Sequence, residues 1–150
     1  MPTSRANGML MASLMLAACA APALVQGCSR PTAPAQPPGG GQTLTLSYPE
    51  FQATVEPVLI RHGCDANGDC HGGGIRGTYQ LSPPGAKDTT FDFDQSSLQA
   101  WAVNRDSSPL LLAPLATDAG GTPHPFKPFA STNDSDYQAI RQWIQDGVAR

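Results

Sequence analysis

A stretch rich in proline and glycine, Ser29 to Gln42 (SRPTAPAQPPGGGQ), divides this chain into a part that can bury a face and a part that cannot. Its four prolines and three glycines leave almost no apolar side chains, so it reads as an extended tether. Glycine and proline, 15 each in 150 residues, make up a fifth of the whole chain and predict long loops elsewhere too. What remains to fold is 44–150, by length a single domain. Charged residues are sparse at 14% and the formal net charge is -3, so no basic stripe is present to neutralise phosphates. Nucleic acid is therefore excluded as a partner. A mildly acidic surface suits a domain that meets a basic patch on another protein.

The segment before the tether reads as an address. Arg5 supplies a positive start, and Met9 to Leu16 is an apolar run of about eight residues, too short for the roughly 20 that a membrane-spanning helix needs. Leu16-Ala17-Ala18-Cys19 resembles the lipobox of bacterial lipoproteins. That resemblance implies a signal peptide over 1–18, acylation of Cys19, and an acylated N-terminus with tether over 19–43. Val25-Gln26-Gly27-Cys28 is a second candidate box, and cleavage at Cys19 leaves Cys28 as an odd thiol in an oxidising compartment. An ordinary signal peptide cut near Ala20 or Ala23 is the third possibility. All three imply export, to the periplasm or the cell surface. Neither Ala20 nor Ser29 is the aspartate that retains resembled lipoproteins at the inner membrane, which points to the outer membrane. The several acyl chains of a lipoprotein would make the membrane itself a partner.

Three helical patterns lie in the folded part. Phe51, Val55, Val58, Leu59 and His62 share one face of a helix from about Pro49 to His62, with Pro57 expected to kink it or loosen one turn. A short second helix is expected from Ser96 as N-cap to about Asn104, burying Leu98 and Trp101. The last is expected to start at an Asn133 cap, carry the stripe Tyr137, Ile140, Trp143 and Ile144, and stop at Gly147. A further turn of helix is expected at Ser108-Pro109, carrying Leu110 to Leu112. The fold class is thus mainly α with long loops. Its core is small for its length, and such a domain commonly needs a staple.

The staple has one place to be. Residues 63–74 read GCDANGDCHGGG, two cysteines and a histidine directly after the first helix. In c-type cytochromes two cysteine thiols add to the haem vinyl groups, and the histidine after the second cysteine ligates iron. The common motif has two residues between its cysteines, whereas here there are five, Asp65 to Asp69, with Asn67-Gly68 as a turn pair that could loop them out. A disulfide between Cys64 and Cys70 is the alternative for an exported thiol pair. A zinc site from Cys64, Cys70, His71 and His62 matches no standard pair of zinc clips. Asp65, Asn67 and Asp69 open like a calcium loop, but Cys70 and Arg76 stand where an EF-hand needs glycine and glutamate.

Taken together, FQATVEPVLIRHGC, CHGG, SPLLLAPL and DSDYQAIRQWIQDG resemble a family of cytochrome c-like domains in bacterial periplasmic and surface proteins. The resemblance spans Tyr48 to Gly147. It implies a small cytochrome c-like fold whose first and last helices cross, Phe51 and Val55 packing near Tyr137 and Trp143. It also implies one covalent haem c attached at Cys64 and Cys70, with His71 as proximal iron ligand.

Such domains generally use methionine as the second axial ligand. The four methionines here, at positions 1, 9, 11 and 15, all precede any cleavage point. His124, in Gly120-Gly121-Thr122-Pro123-His124-Pro125, is the candidate for that position, with the prolines stiffening its loop and Phe126 and Phe129 available to cover a haem edge. His62 is the competitor and reads as packing or a propionate contact. The expected function is electron transfer with an unidentified redox partner protein, without enzymatic activity. The alternatives are a haem-less, disulfide-clipped interaction module of the same fold and a haem with an open sixth position that activates small molecules.

Overall fold

The computed structural model describes residues 41–67, 70–73 and 77–150. The signal peptide 1–18, the acylation sites Cys19 and Cys28, and nearly all of the tether lie outside the described residues, as do Gly68 and Asp69. The described chain is mainly helical with few strands. In order it runs β1 (Leu44–Thr45), α1 (Tyr48–Glu50), a π-helical turn (Phe51–Val55), α2 (Glu56–Arg61), α3 (Thr89–Ser97), a 3-10 turn (Arg105–Ser107), α4 (Pro109–Leu112), a second 3-10 turn (Thr117–Ala119), α5 (Ser135–Gln145) and β2 (Val148–Ala149).

The first helix is continuous from Tyr48 to Arg61 but changes pitch ahead of Pro57. Proline has no N–H to give the carbonyl four residues back, and its ring crowds that carbonyl. The helix answers by widening one turn, so Glu56 N–H bonds Phe51 O, five residues back. The apolar face survives the change, with Phe51, Val55, Val58 and Leu59 all buried. At the other end Gly63 N–H bonds Ile60 O at 2.9 Å and Cys64 N–H bonds Leu59 O at 2.9 Å, the paired bonds of a Schellman C-cap. The helix therefore stops abruptly and turns the chain so that Cys64 follows at once.

The first and last helices cross on an aromatic contact. Phe51 and Trp143 have ring centres 5.4 Å apart, Trp143 Nε1–H donates to Ser47 O at 2.9 Å, and Tyr137, Ile140, Trp143 and Ile144 form the buried stripe of α5. Antiparallel pairing of Leu44 with Ala149 and Thr45 with Val148 ties the two ends of the domain together.

Two expected helix boundaries are corrected. The second helix is Thr89–Ser97, capped by Asp88, whose carboxylate accepts from Phe91 N–H at 3.0 Å. Ser96 thus ends that helix instead of starting one, Leu98 is 56% exposed and Trp101 is only half-buried. Physically, α3 buries polar residues, Asp92 and Ser96, and a buried face of that kind leaves no apolar periodicity. In α5 the cap is Asp134, not Asn133: its carboxylate accepts from Asp136 N–H at 2.8 Å and Tyr137 N–H at 3.2 Å.

Candidate functional site

One cavity of about 340 Å³ lies between α2, α4, α5 and the loops. Its walls are mostly apolar: Val58 and Leu59 from α2, Leu110 from α4, Ile140 from α5, and Phe126, Phe129 and several prolines from the loop before α5. Four side chains in that lining carry chemistry besides His62: Cys64, Cys70, His71 and His124. The structure thus brings to one cavity residues that lie up to 60 positions apart in sequence.

The first loop runs from Cys64 to Leu81. The described residues on either side of the gap between the cysteines are drawn together, with His71 N–H bonded to Cys64 O at 2.9 Å and Gly72 N–H to Ala66 O at 3.0 Å. Residues 64 and 71 are thereby adjacent in space despite the extra length. Gly72 is indispensable to this closure, because a Cβ there would sit 1.6 Å from Asp65 O. A single parallel bridge, Gly72 with Leu81, closes the loop, and Leu81 N–H bonds His71 O at 2.8 Å. Both cysteines are free. Burial first, then the Asp65 charge and the nearby Cys70 sulfur, pushes the Cys64 thiol up to about 11, so it is protonated at neutral pH.

His71 is held by Tyr79 in two ways. Its Nδ1 lies 2.9 Å from Tyr79 O, and the two rings have centres 4.7 Å apart. A carbonyl only accepts, so Nδ1 carries the proton and Nε2 keeps its lone pair. Burial holds His71 below the ordinary imidazole value, His124 lowers it further and the Tyr79 carbonyl opposes both, which keeps the ring neutral at pH 7. Tyr79 in turn is half-buried, its hydroxyl paired with Ser96 Oγ at 2.9 Å in the interior, and the burial of that hydroxyl raises its own pKa.

Beneath the first loop is a buried charge cluster. Asp92, 1% exposed, accepts from Ser82 Oγ at 2.8 Å, from Ser82 N–H and from Lys87 Nζ at 2.6 Å. Lys87 also donates to Ser82 O at 3.0 Å and reaches Asp65 at 3.4 Å. Asp65 therefore belongs to an ion pair.

The second loop runs from Leu115 to Phe129, again closed by one parallel bridge between its ends, with Ala116 N–H on Phe129 O at 2.8 Å and Phe129 N–H on Pro114 O at 3.2 Å. Here too a glycine sits where nothing else fits, since a Cβ on Gly121 would lie 1.8 Å from Leu115 O. His124 Nδ1 lies 2.6 Å from Phe126 O and 3.3 Å from Phe126 N. One ring nitrogen cannot donate to the carbonyl and accept from the amide, and the short carbonyl contact assigns the proton to Nδ1. The His71 and His124 rings have centres 6.0 Å apart and planes within 18° of parallel.

His62 lines the same cavity but its Nε2 is engaged by Asp136 at 2.8 Å, and its ring meets the edge of Phe129 at 5.2 Å between centres. Asp136 also holds Arg61 through two bonds, 3.1 and 2.7 Å. Phe129 is buried, whereas Phe126 is 48% exposed at the cavity mouth. Tyr79, Asp92, Lys87 and Lys127 were not singled out by motif or periodicity. The one available signal was scarcity: the chain has only two lysines, Lys87 and Lys127, and each sits under one of the two loops.

No cluster of three or more histidine, cysteine or carboxylate side chains fit to hold a metal ion alone occurs among the described residues. Nor, among those residues, is any helix long and apolar enough to cross a membrane. The chain matches no protein-family model, no curated protein and no solved structure.

Proposed function

We propose that this protein is an exported, lipid-anchored monohaem cytochrome of the c type with a cytochrome c-like fold, acting in electron transfer and not as an enzyme. The observation that carries the reading is the pair His71 and His124, near-parallel across one apolar cavity with 6.0 Å between ring centres. A metal–imidazole bond is about 2 Å, and a ring centre lies roughly one ångström behind its nitrogen, so a single metal between two imidazoles demands about this spacing.

The residues present fit a haem on three counts. Each histidine has its Nδ1 occupied by a backbone carbonyl, which fixes the tautomer and leaves Nε2 to ligate. The cavity lining supplies two imidazoles, His71 and His124, with ring centres 6.0 Å apart, which suits a metal whose other four ligands come with a macrocycle. Two free thiols line the same cavity as the histidines, and His71 N–H bonds Cys64 O, so Cys64 and His71 are neighbours in space. Haem c supplies, when bound, an iron that takes up and gives back one electron. The chain's own part is to hold that group: Cys64 and Cys70 by thioethers, His71 and His124 at the iron, and the apolar walls by excluding water. Two neutral imidazoles in place of an imidazole and a thioether favour the oxidised iron and lower the potential. Acylation at Cys19 would hold the carrier at a membrane surface, with the outer membrane favoured and the tether giving reach to a redox partner.

The test is colour and mass. Full-length protein produced with haem-attachment factors is expected to carry one haem by intact mass, to give a pyridine haemochrome of the c type and to be low-spin when oxidised. A colourless product with only free thiols or a Cys64–Cys70 disulfide removes the reading. A coloured but high-spin wild type keeps haem attachment and removes His124 as ligand. Membrane fractions should lose the protein in Cys19→Ser if that cysteine bears the anchor.

A further inference from the structure

We propose that Lys127 is the positioning residue that keeps His124 at the sixth position of the iron, a clamp whose release opens the site to exogenous ligands. The proposal rests on the bis-histidine reading above. His124 sits in a four-residue arch, Pro123 to Phe126, whose feet are Thr122 and Lys127. The Lys127 ammonium spans those feet by donating to Thr122 O, and it reaches the start of the loop as well, donating to Leu115 O at 2.8 Å and to Ala113 O at 3.3 Å. An ammonium has three donors and no acceptor, so three carbonyls saturate it.

Among the described residues no other hydrogen bond ties the arch to the rest of the loop. The bonds that close the loop, Thr122 N–H on Leu112 O and Ala116 N–H on Phe129 O, lie outside the arch on either side. Within it, proline at 123 and 125 removes two backbone donors while stiffening φ. His124 bonds only to Phe126, inside the same arch, so that contact moves with the loop and does not anchor it. Lys127 is thus the one side chain among the described residues that bonds across the feet. Because no carboxylate takes part, a neutral side chain in its place leaves three carbonyls unsatisfied without exposing a buried counter-charge, and the loop relaxes while the core stays intact.

The experiment uses haem-loaded full-length protein and carbon monoxide as the probe of the reduced iron. Lys127→Met is expected to show a high-spin fraction absent from wild type and to bind carbon monoxide at least about tenfold faster, since hydrogen bonds from a charged group are among the stronger ones. His124→Ala is expected to bind it faster still. The double variant should behave as His124→Ala alone, because Lys127 acts only through His124. Lys127→Gln, which keeps two amide donors, is expected between wild type and Lys127→Met and carries the test if the methionine variant does not fold. Ile144→Val, a core change outside the cavity lining, should lower Tm and leave spin state and carbon monoxide rate unmoved. Low-spin Lys127 variants that bind carbon monoxide no faster than wild type overturn the clamp while leaving bis-histidine ligation standing. A colourless or high-spin wild type overturns the bis-histidine reading instead.

Discussion

The loop around His71 and the loop around His124 each consist of a histidine whose Nδ1 bonds a backbone carbonyl, a glycine pressed against a carbonyl, one parallel bridge and one lysine. Their lysines differ. Lys87 ends on carboxylates, Asp92 at 2.6 Å and Asp65 at 3.4 Å, and Asp92 is buried. Lys127 ends on carbonyls alone. The first loop is therefore bound into the core through a compensated charge pair and a helix, α3, whose Asp92 and Ser96 serve it from beneath. The second is fastened by backbone hydrogen bonds, Thr122 N–H on Leu112 O among them, and by the buried Phe129 ring, with no charge pair beneath it. Similar outlines hold the two rings near-parallel, but only the first loop rests on a compensated charge pair, and the arch of the second is spanned by one cation. On the function proposed above, an electron carrier would have use for the difference, since the attached side would have to survive turnover and the opposite ligand would decide what else reaches the metal.

The sharpest way to break this comparison is to remove each lysine. Lys87→Met strands the Asp92 carboxylate in the core and is expected to cost about 3 kcal/mol, the low end for a broken buried pair because the ammonium keeps some solvent contact. Lys127→Met, which strands carbonyls, is expected to cost about 1.5 kcal/mol. Denaturant melts of the two variants check this, and equal losses would erase the distinction between the loops. Next come the glycines. Gly72→Ala and Gly121→Ala each force a backbone shift worth about 2–3 kcal/mol. The first is expected to lower the yield of covalent haem, because it displaces the chain between Cys64 and His71. The second is expected to leave the yield intact and make the haem high-spin. The same yield and the same spectrum in both would mean that the two loops do not divide attachment and sixth ligation between them.

Tyr79→Phe separates holding from packing within the first loop. It keeps the carbonyl and the ring that touch His71 but leaves Ser96 Oγ buried without a partner, at about 1 kcal/mol. A lower Tm with an unchanged haem spectrum is expected. A changed spectrum would show that the hydroxyl, and not the carbonyl, sets the orientation of His71.

Features local in sequence were legible. Phe51 to Leu59 and Tyr137 to Ile144 carry the period of a buried helix face, and GCDANGDCHGGG keeps its thiols and imidazole within eight residues. His124 could be named because the chain has three histidines and all four methionines lie at or before position 15, outside the folded part. What could not be read was anything held by backbone carbonyls or by a polar buried face. Tyr79 O and the three carbonyls around Lys127 have no side-chain identity to recognise. Helix α3 was misplaced because Asp92 and Ser96 look like surface residues until Lys87, Ser82 and Tyr79 satisfy them. The α5 cap slipped by one residue because Asn133 and Asp134 are both good caps and only the backbone conformation chooses between them.

The weakest effect concerns the seam where the two loops meet the terminal helices, at Asp136. Its carboxylate lies below the usual carboxylate range, through the Arg61 hydrogen bond first, with burial pushing the other way and the His62 hydrogen bond and the Arg61 charge adding to the lowering. A lowered folded value means that the stabilisation is fully present above the unfolded carboxylate pKa, near 3.8, and drains away as pH falls through the folded value. Asp136→Asn should therefore cost about 0.5 kcal/mol at neutral pH, as partly exposed ion pairs do, and the difference from wild type should shrink as the pH drops below about 4. Thermal melts of both proteins at pH 7 and in acid measure it. A constant difference across that range would mean that Asp136 acts through shape, as a helix-start residue beside the Asp134 cap, and that His62 is free to answer to the cavity instead of to Asp136.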